Sequence, residues 1–221
     1  MRKATLWMTV MVASLMSAGV ALAGPDQQDV VDHAAATIAA MRTDPSFGNA
    51  PKLMRRARAV MVVPELVKGG FFFGGEGGNG VLLAKTANGW TSPAFYTVGA
   101  ASFGLQIGVE TAEVVFLVMS ERALNAWMKN EVKLGAQAGL TVAVIGSNAE
   151  ADATTNANVD VIAWARSKGA YAGLTLEGSL IKPRDSYNEA YYGRKLSAEQ
   201  IIHGAGANHA ADGLRQSLAA R

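Results

Sequence analysis

Three stretches of strict alternation limit what this chain can fold into. Ala101, Phe103, Leu105, Ile107 and Val109 alternate with Ser102, Gly104, Gln106, Gly108 and Glu110. Leu134, Ala136, Ala138, Leu140, Val142 and Val144 alternate with Lys133, Gly135, Gln137, Gly139 and Thr141. Ala172, Leu174, Leu176 and Leu180 stand against Tyr171, Gly173, Thr175, Glu177 and Ser179. A period of two with one apolar side describes a half-buried strand, most simply in an antiparallel sheet. Each run carries glycine on its polar side, where a strand bends strongly or a backbone or ligand comes close. The expectation is a curved sheet, in part barrel- or sandwich-like, with helices on its apolar side.

The helices are legible at both ends. Val30, Val31, Ala34, Ile38 and Met41 recur at helical spacing between Asp26 and Arg42. A turn-rich patch over 43–50 follows, and Pro51 opens a short second helix carrying Lys52, Arg55, Arg56 and Arg58. That helix runs into the strand-like Ala59-Val60-Met61-Val62-Val63. Residues 121–130 read as a helix containing Leu124, Trp127 and Met128, and 147–158 as a polar loop. Ser197-x-x-Gln200 is a capping-box pattern, with helix expected again over 207–220. The fold class is α+β, a mostly antiparallel curved sheet packed with N- and C-terminal helices.

Residues 1–23 read as an export signal rather than as part of the fold. Arg2 and Lys3 precede an apolar run over 6–20, and Ala21-Leu22-Ala23 offers the small-x-small pattern of signal-peptidase cleavage. The expected mature chain, 24–221, is one domain with its core at about 29–193 and C-terminal helices at 197–220. Removing Arg2 and Lys3 leaves 18 Lys+Arg against 18 Asp+Glu, a balance that gives no footprint for nucleic acid. The chain has no cysteine, which excludes disulfides, thiol catalysis and Cys-based metal sites. The expected location is the periplasm, with the protein at most peripheral to a membrane.

Several motifs lead to no chemistry. Gly75-x-Gly77-x-x-Gly80 matches the dinucleotide fingerprint in letters, but strand-like Val81-Leu82-Leu83-Ala84 follows it where a helix is needed. His33, His203 and His209 lack any catalytic or metal-binding companion pattern and read as helix-surface residues. Asp152, Asn156, Asn158 and Asp160 lack the glycine and terminal glutamate of a calcium loop. No cofactor or metal is expected. Two features suit a membrane surface. The basic run Lys52, Arg55, Arg56 and Arg58, with Lys68 beyond it, suits anionic headgroups. Phe71-Phe72-Phe73 between glycine pairs suits apolar lipid contact, or else a buried strand.

The order of motifs resembles a known family. Residues 74–81 (GGEGGNGV) precede 89–94 (GWTSPA), 104–110 (GLQIGVE), Leu134-Gly135, 167–179 (SKGAYAGLTLEGS) and Asn188-x-x-Tyr191-Tyr192-Gly193. This set is similar to the SYLF domain, over about 29–193. Eukaryotic members of that family are associated with phosphoinositide binding and, in yeast, with binding and bundling actin. The resemblance implies a non-catalytic lipid-binding or interaction module. Its motif residues fall on Gln106, Glu110, Glu177, Asn188 and Tyr192, which the resemblance leaves as fold-stabilising positions. The helix that is basic in the eukaryotic lipid binders here carries Asp26, Asp29 and Asp32. For an exported chain a phospholipid or other anionic envelope lipid is the expected partner, and actin is not. The alternatives are an envelope structural or protein-interaction domain without a lipid, and an enzyme using Glu110 or Glu177 as acid/base.

Overall fold

A computed structural model describes residues 25–44, 49–70, 73–103, 108–129, 131–134, 140–146, 159–168, 176 and 178–220. Helix α1 (Pro25–Thr43) and the single turn α2 (Ala50–Met54) lead into the hairpin β1 (Ala59–Gly70) and β2 (Phe73–Thr86). Short β3 (Gly89–Trp90), β4 (Ala94–Phe103) and β5 (Gly108–Val118) follow, then α3 (Glu121–Lys129). Strands β6 (Val132–Lys133), β7 (Val142–Gly146), β8 (Val161–Lys168) and β9 (Leu180–Pro183) complete the sheet. Helix α4 (Asp185–Tyr192), α5 (Ala198–Gln200) with the wider turn 201–205, and α6 (Asp212–Ala219) close the chain. The strands order as β6-β9-β4-β2-β1-β5-β8-β7, and β3 adds to β2. All pairs are antiparallel except β7 with β8. This is the fold class that the alternation and the terminal helices led us to expect.

The central strand β1 changes character halfway along. Ala59, Val60, Met61, Val62 and Val63 are all fully buried, so both faces of the sheet are covered there. On one face α3 lies across the strands: the Phe116 and Trp127 rings meet edge to face at 5.6 Å, and the Tyr96 hydroxyl donates to the Trp127 carbonyl at 3.0 Å. On the other, Phe95 packs against Tyr187 and Tyr191 of α4, and α1 and α6 pack beside them. A strand covered on both sides reads as a continuous apolar run, which is what Ala59–Val63 is. Beyond Pro64 alternation returns. Leu66 is buried on the α3 face, whereas Glu65 and Val67 are exposed on the α4 face, Val67 at 40%.

The register shifts at this point against both neighbours, between Val62 and Glu65 toward β2 and between Val63 and Leu66 toward β5. Proline lacks the N–H a central strand needs, and a bulge is where it is tolerated. The bulge crowds β2. A Cβ on Gly80 would sit 2.6 Å from the Val62 carbonyl oxygen, and one on Gly78 would collide with the Glu65 carbonyl. A Cβ on Gly77, pointing the other way, would meet nothing within 4 Å. The glycines of the fingerprint-like run thus lie along a strand, and Gly80 gives room to β1.

Two expectations need correction. The alternating run 101–109 is not one strand; it spans the end of β4 and the start of β5, which are antiparallel neighbours of the β2–β1 pair, and 104–107 lie outside the described residues. Of the run 134–144, residues 135–139 lie outside the described residues and Val142 starts β7; most of 171–180 lies outside them as well. The second helix stops at Met54, so Arg55 to Arg58 form a turn: Arg56 and Ala57 N–H groups both return to the Leu53 carbonyl. The expected polar loop 147–158 lies outside the described residues.

Asp160 joins α3 to the far edge of the sheet. Its buried carboxylate accepts from the Ser120 hydroxyl, the Arg122 guanidinium and the Thr141 N–H, the last at 3.0 Å. Ser120 also accepts from the Ala123 N–H at 3.2 Å, fixing the start of α3. Burial alone raises the Asp160 pKa, but hydrogen bonds from Ser120, Thr141 and Arg122 outweigh it and hold it below the ordinary value of 3.8.

Two stability measurements check these assignments. Gly80→Ala should destabilise by about 1–3 kcal/mol in chemical denaturation through overpacking against the bulge. Gly77→Ala should instead be neutral or gain about 0.4–1 kcal/mol, by restricting the unfolded chain. Asp160→Ala should cost about 2–3 kcal/mol at pH 7. A carboxylate with a depressed folded pKa stabilises above its unfolded value and loses that contribution as pH falls through the folded one. The gap between parent and Asp160→Ala should therefore close on acidification below the ordinary value of 3.8.

Candidate basic docking corner

The basic run becomes a corner rather than a helix face. Leu53 and Met54 are buried and anchor α2, so the exposed Lys52, Arg55, Arg56 and Arg58 project around a fixed turn. Backbone bonds dock the turn on the sheet: the Arg58 N–H donates to the Val118 carbonyl at 2.7 Å, and the Lys85 N–H to the Arg58 carbonyl at 2.8 Å. The pairing of Ala59 with Ala84 brings Lys85 to the same corner, where its ammonium donates to the Arg55 carbonyl at 2.8 Å. Sequence reading missed Lys85, because only the register of the β1–β2 hairpin places it there. Arg58 pairs with Glu121 at this corner at 3.4 Å, and their side chains are 59% and 61% exposed. Such an exposed pair is worth little.

Behind the corner, Arg42 faces inward. It donates to the carbonyls of Ser217 at 2.8 Å and Leu218 at 3.0 Å, capping the end of α6. Burial lowers its pKa, and the positive charge of Arg55 lowers it further.

Lys68 does not join it. Nine residues along β1 from Ala59, about 30 Å at strand spacing, Lys68 lies in register between Glu76 of β2 and Glu110 of β5. All three share the α3 face, where Glu76 also accepts from the buried Ser179 hydroxyl. The chain's own carboxylates flank this lysine, which removes the ground for grouping it with the headgroup-binding cations. Glu110 is 8% exposed. Phe71 and Phe72 lie outside the described residues, and of Phe73 the backbone pairs with Phe103. Because β1 ends at Gly70, that end of the hairpin is about 36 Å from Ala59.

Of the remaining motif positions, Gln106 and Glu177 lie outside the described residues. Asn188 is fully buried on α4, where its side-chain oxygen accepts from the Phe95 N–H at 2.8 Å. The Arg184 N–H donates to the Phe95 carbonyl at 2.8 Å, so the start of α4 completes the bonding of β4 just where β9 ends. Tyr192 donates its hydroxyl to the Pro93 carbonyl at 2.7 Å. Gly206 lies against its ring, so closely that a Cβ there would come within 2.7 Å of it. Both residues join α4 to the start of β4. The three histidines are exposed, and among the described residues no cluster of His, Cys, Asp and Glu has the makings of a metal site. No helix among them is long and apolar enough to cross a membrane.

Comparison with known proteins follows the same lines as the motifs. The family described as Ysc84, Las17-binding protein actin regulator, matches residues 99–221. Protein YSC84 of Saccharomyces cerevisiae is 32% identical over 158 residues, which cover 70% of this chain and 34% of that protein. LAS seventeen-binding protein 3 of the same yeast is 30% identical over 158 residues, again 34% of its length. SH3 domain-containing YSC84-like protein 1 of Xenopus laevis is 30% identical over 157 residues, 70% of this chain and 47% of the relative. The chain thus spans between about a third and a half of the length of these curated relatives. The match over more than half the chain, with the motif order that resembles the SYLF domain, places it: this chain belongs to the Ysc84 family.

Proposed function

We propose that this protein is a non-catalytic module that docks on anionic phospholipid surfaces through the corner formed by Lys52, Arg55, Arg56, Arg58 and Lys85. The observation carrying this reading is five exposed cations where α2, the turn after it and the end of β2 meet, with Arg58 of that turn paired to Glu121. At roughly 1 kcal/mol per basic residue near an anionic surface, they supply about 5 kcal/mol. That corresponds to a dissociation constant of some tenths of a millimolar. The association is peripheral, reversible and sensitive to salt, since exposed charges are screened over about 10 Å at 0.1 M ionic strength. In the same proposal residues 1–23 direct export, and the module acts in the periplasm on envelope lipids.

A second reading has its own support. One of these relatives and the family description carry the name of a binding partner, Las17, and the family description names actin regulation. A protein-interaction domain of the envelope, presenting the same corner to an acidic protein surface, fits those names without a lipid. An exported chain does not meet actin.

Co-sedimentation with vesicles separates the two. Vesicles rich in phosphatidylglycerol should pull down the protein at low salt and release it at 0.5 M salt, while phosphatidylcholine vesicles should not bind it. Replacing Lys52, Arg55, Arg56 and Arg58 together by alanine should remove most of the bound fraction with the circular dichroism unchanged. Equal binding by that variant would refute the corner, and no binding by the parent would leave the protein-interaction reading. Export has its own readout: the intact mass from a periplasmic extract should correspond to a chain beginning at Gly24.

A further inference from the structure

A second concentration of positive charge lies away from the corner, on the α4 face of the sheet. A groove of about 520 Å³ runs between β4 and the β6–β9 pair, lined by Thr97, Gly99, Lys133, Gly178, Leu180 and Lys182. The register explains the grouping. Lys182 stands opposite Thr97, Leu180 opposite Gly99, and Lys133 opposite Leu180, so all five share one face. Lys133 and Lys182 are diagonal neighbours on adjacent strands, about 7–8 Å apart at the backbone.

The groove exists because two side chains are missing. A Cβ on Gly99 would have a single close neighbour, the Glu76 carbonyl oxygen at 3.5 Å, so the floor is bare backbone with room above it. Gly178, with φ at +86°, turns the chain at the rim, and a Cβ there would meet nothing within 4 Å. The volume lies within the range of small-molecule sites, roughly 300–1,000 Å³.

We infer that this groove binds a phosphate ester, its oxygens received by Lys182, Lys133 and the Thr97 hydroxyl and its carbon portion lying along Leu180. Lysine is a standard point-charge partner for phosphate, and Thr97 adds a neutral donor. The site is independent of the basic corner: no residue is shared, and a phosphate ester free in solution satisfies it as well as one on a lipid headgroup. The sequence separates the two lysines by 49 positions, so only strand pairing brings them together.

The test is a titration of the isotope-labelled full chain followed by amide chemical shifts. Glycerol 3-phosphate should shift the amides of Thr97, Gly99 and Gly178 in a saturable way. Lys182→Glu should weaken that binding by about tenfold or more. Gly99→Val puts a strand-favouring residue into empty space, so it should keep the melting temperature while abolishing the shifts. The quadruple alanine variant of the corner should bind glycerol 3-phosphate like the parent, even where its vesicle binding is lost. A short-chain phosphatidic acid that shifts the same amides at lower concentration identifies a lipid headgroup as the source; equal or weaker response identifies a soluble ester. Shifts confined to the corner, or unchanged binding by Gly99→Val, would overturn the inference.

Discussion

The bulge at Pro64 organises the molecule. Before it, β1 is an uninterrupted apolar strand with helices on both sides; after it, the α4 face opens to solvent and the α3 face alone stays covered. The extra residue on β1 needs space, and Gly78 and Gly80 on β2 supply it by having no side chain. A proline in one strand and two glycines in the next are thus a single device. It divides the sheet into an end that holds the fold together and an end that leaves one surface bare. The groove lies on the bare surface, and the basic corner is built where the doubly covered end meets the first turn.

Much of this was legible from local pattern. The capping box at Ser197 and Gln200 forms as its spacing predicts, since both partners lie within one turn. Helix α1 follows its apolar spacing, with Val31, Ala34, Ile38 and Met41 buried. The run Ala59–Val63 is a strand because its continuous apolar character suits double coverage. What failed was everything set by register. Period-two alternation from Ala101 to Val109 carries no mark of the reversal between β4 and β5, because Ala101 and Val109 come back to the same face: both align with Gly69 through the β2–β1 pair. Lys68 looked like an addition to the basic run until pairing set it between Glu76 and Glu110. Lys85 looked like an isolated lysine until pairing set it beside Arg55.

The motif residues divide in the same way. Asn188 and Tyr192 could be read as structural because an asparagine and a tyrosine on a helix offer hydrogen bonds, but their partners, Phe95 and Pro93, are close to a hundred residues away. Arg184 works beside them, its N–H on the Phe95 carbonyl, its guanidinium bonded to Asn79 and stacked 3.4 Å over the Tyr187 ring. Together these contacts bind the start of α4 to the edge of β4, which in turn fixes the position of β9 and the lysine-lined groove. Fold-stabilising motif positions and a ligand-binding groove are therefore neighbours, which is why a motif comparison alone does not separate them.

The position of α1 bears on which element would meet a membrane in the proposed docking. Its apolar residues are buried in the core cluster, Arg42 caps α6, and Asp44 just beyond its end pairs with Arg166 at 2.8 Å. Using α1 as an inserting helix would first expose Val31, Ile38 and Met41, at about 1.5–3 kcal/mol each. The cost, roughly 5–9 kcal/mol by the same measure, equals or exceeds the 5 kcal/mol or so that five cations gain at an anionic surface. In the proposed docking, charge attraction would therefore bring the folded protein to the surface with α1 still docked, and the exposed Asp26, Asp29 and Asp32 on that helix would be repelled by anionic lipid. On that proposal an anionic surface would select the orientation that presents the α2–β1 turn and turns the start of α1 away.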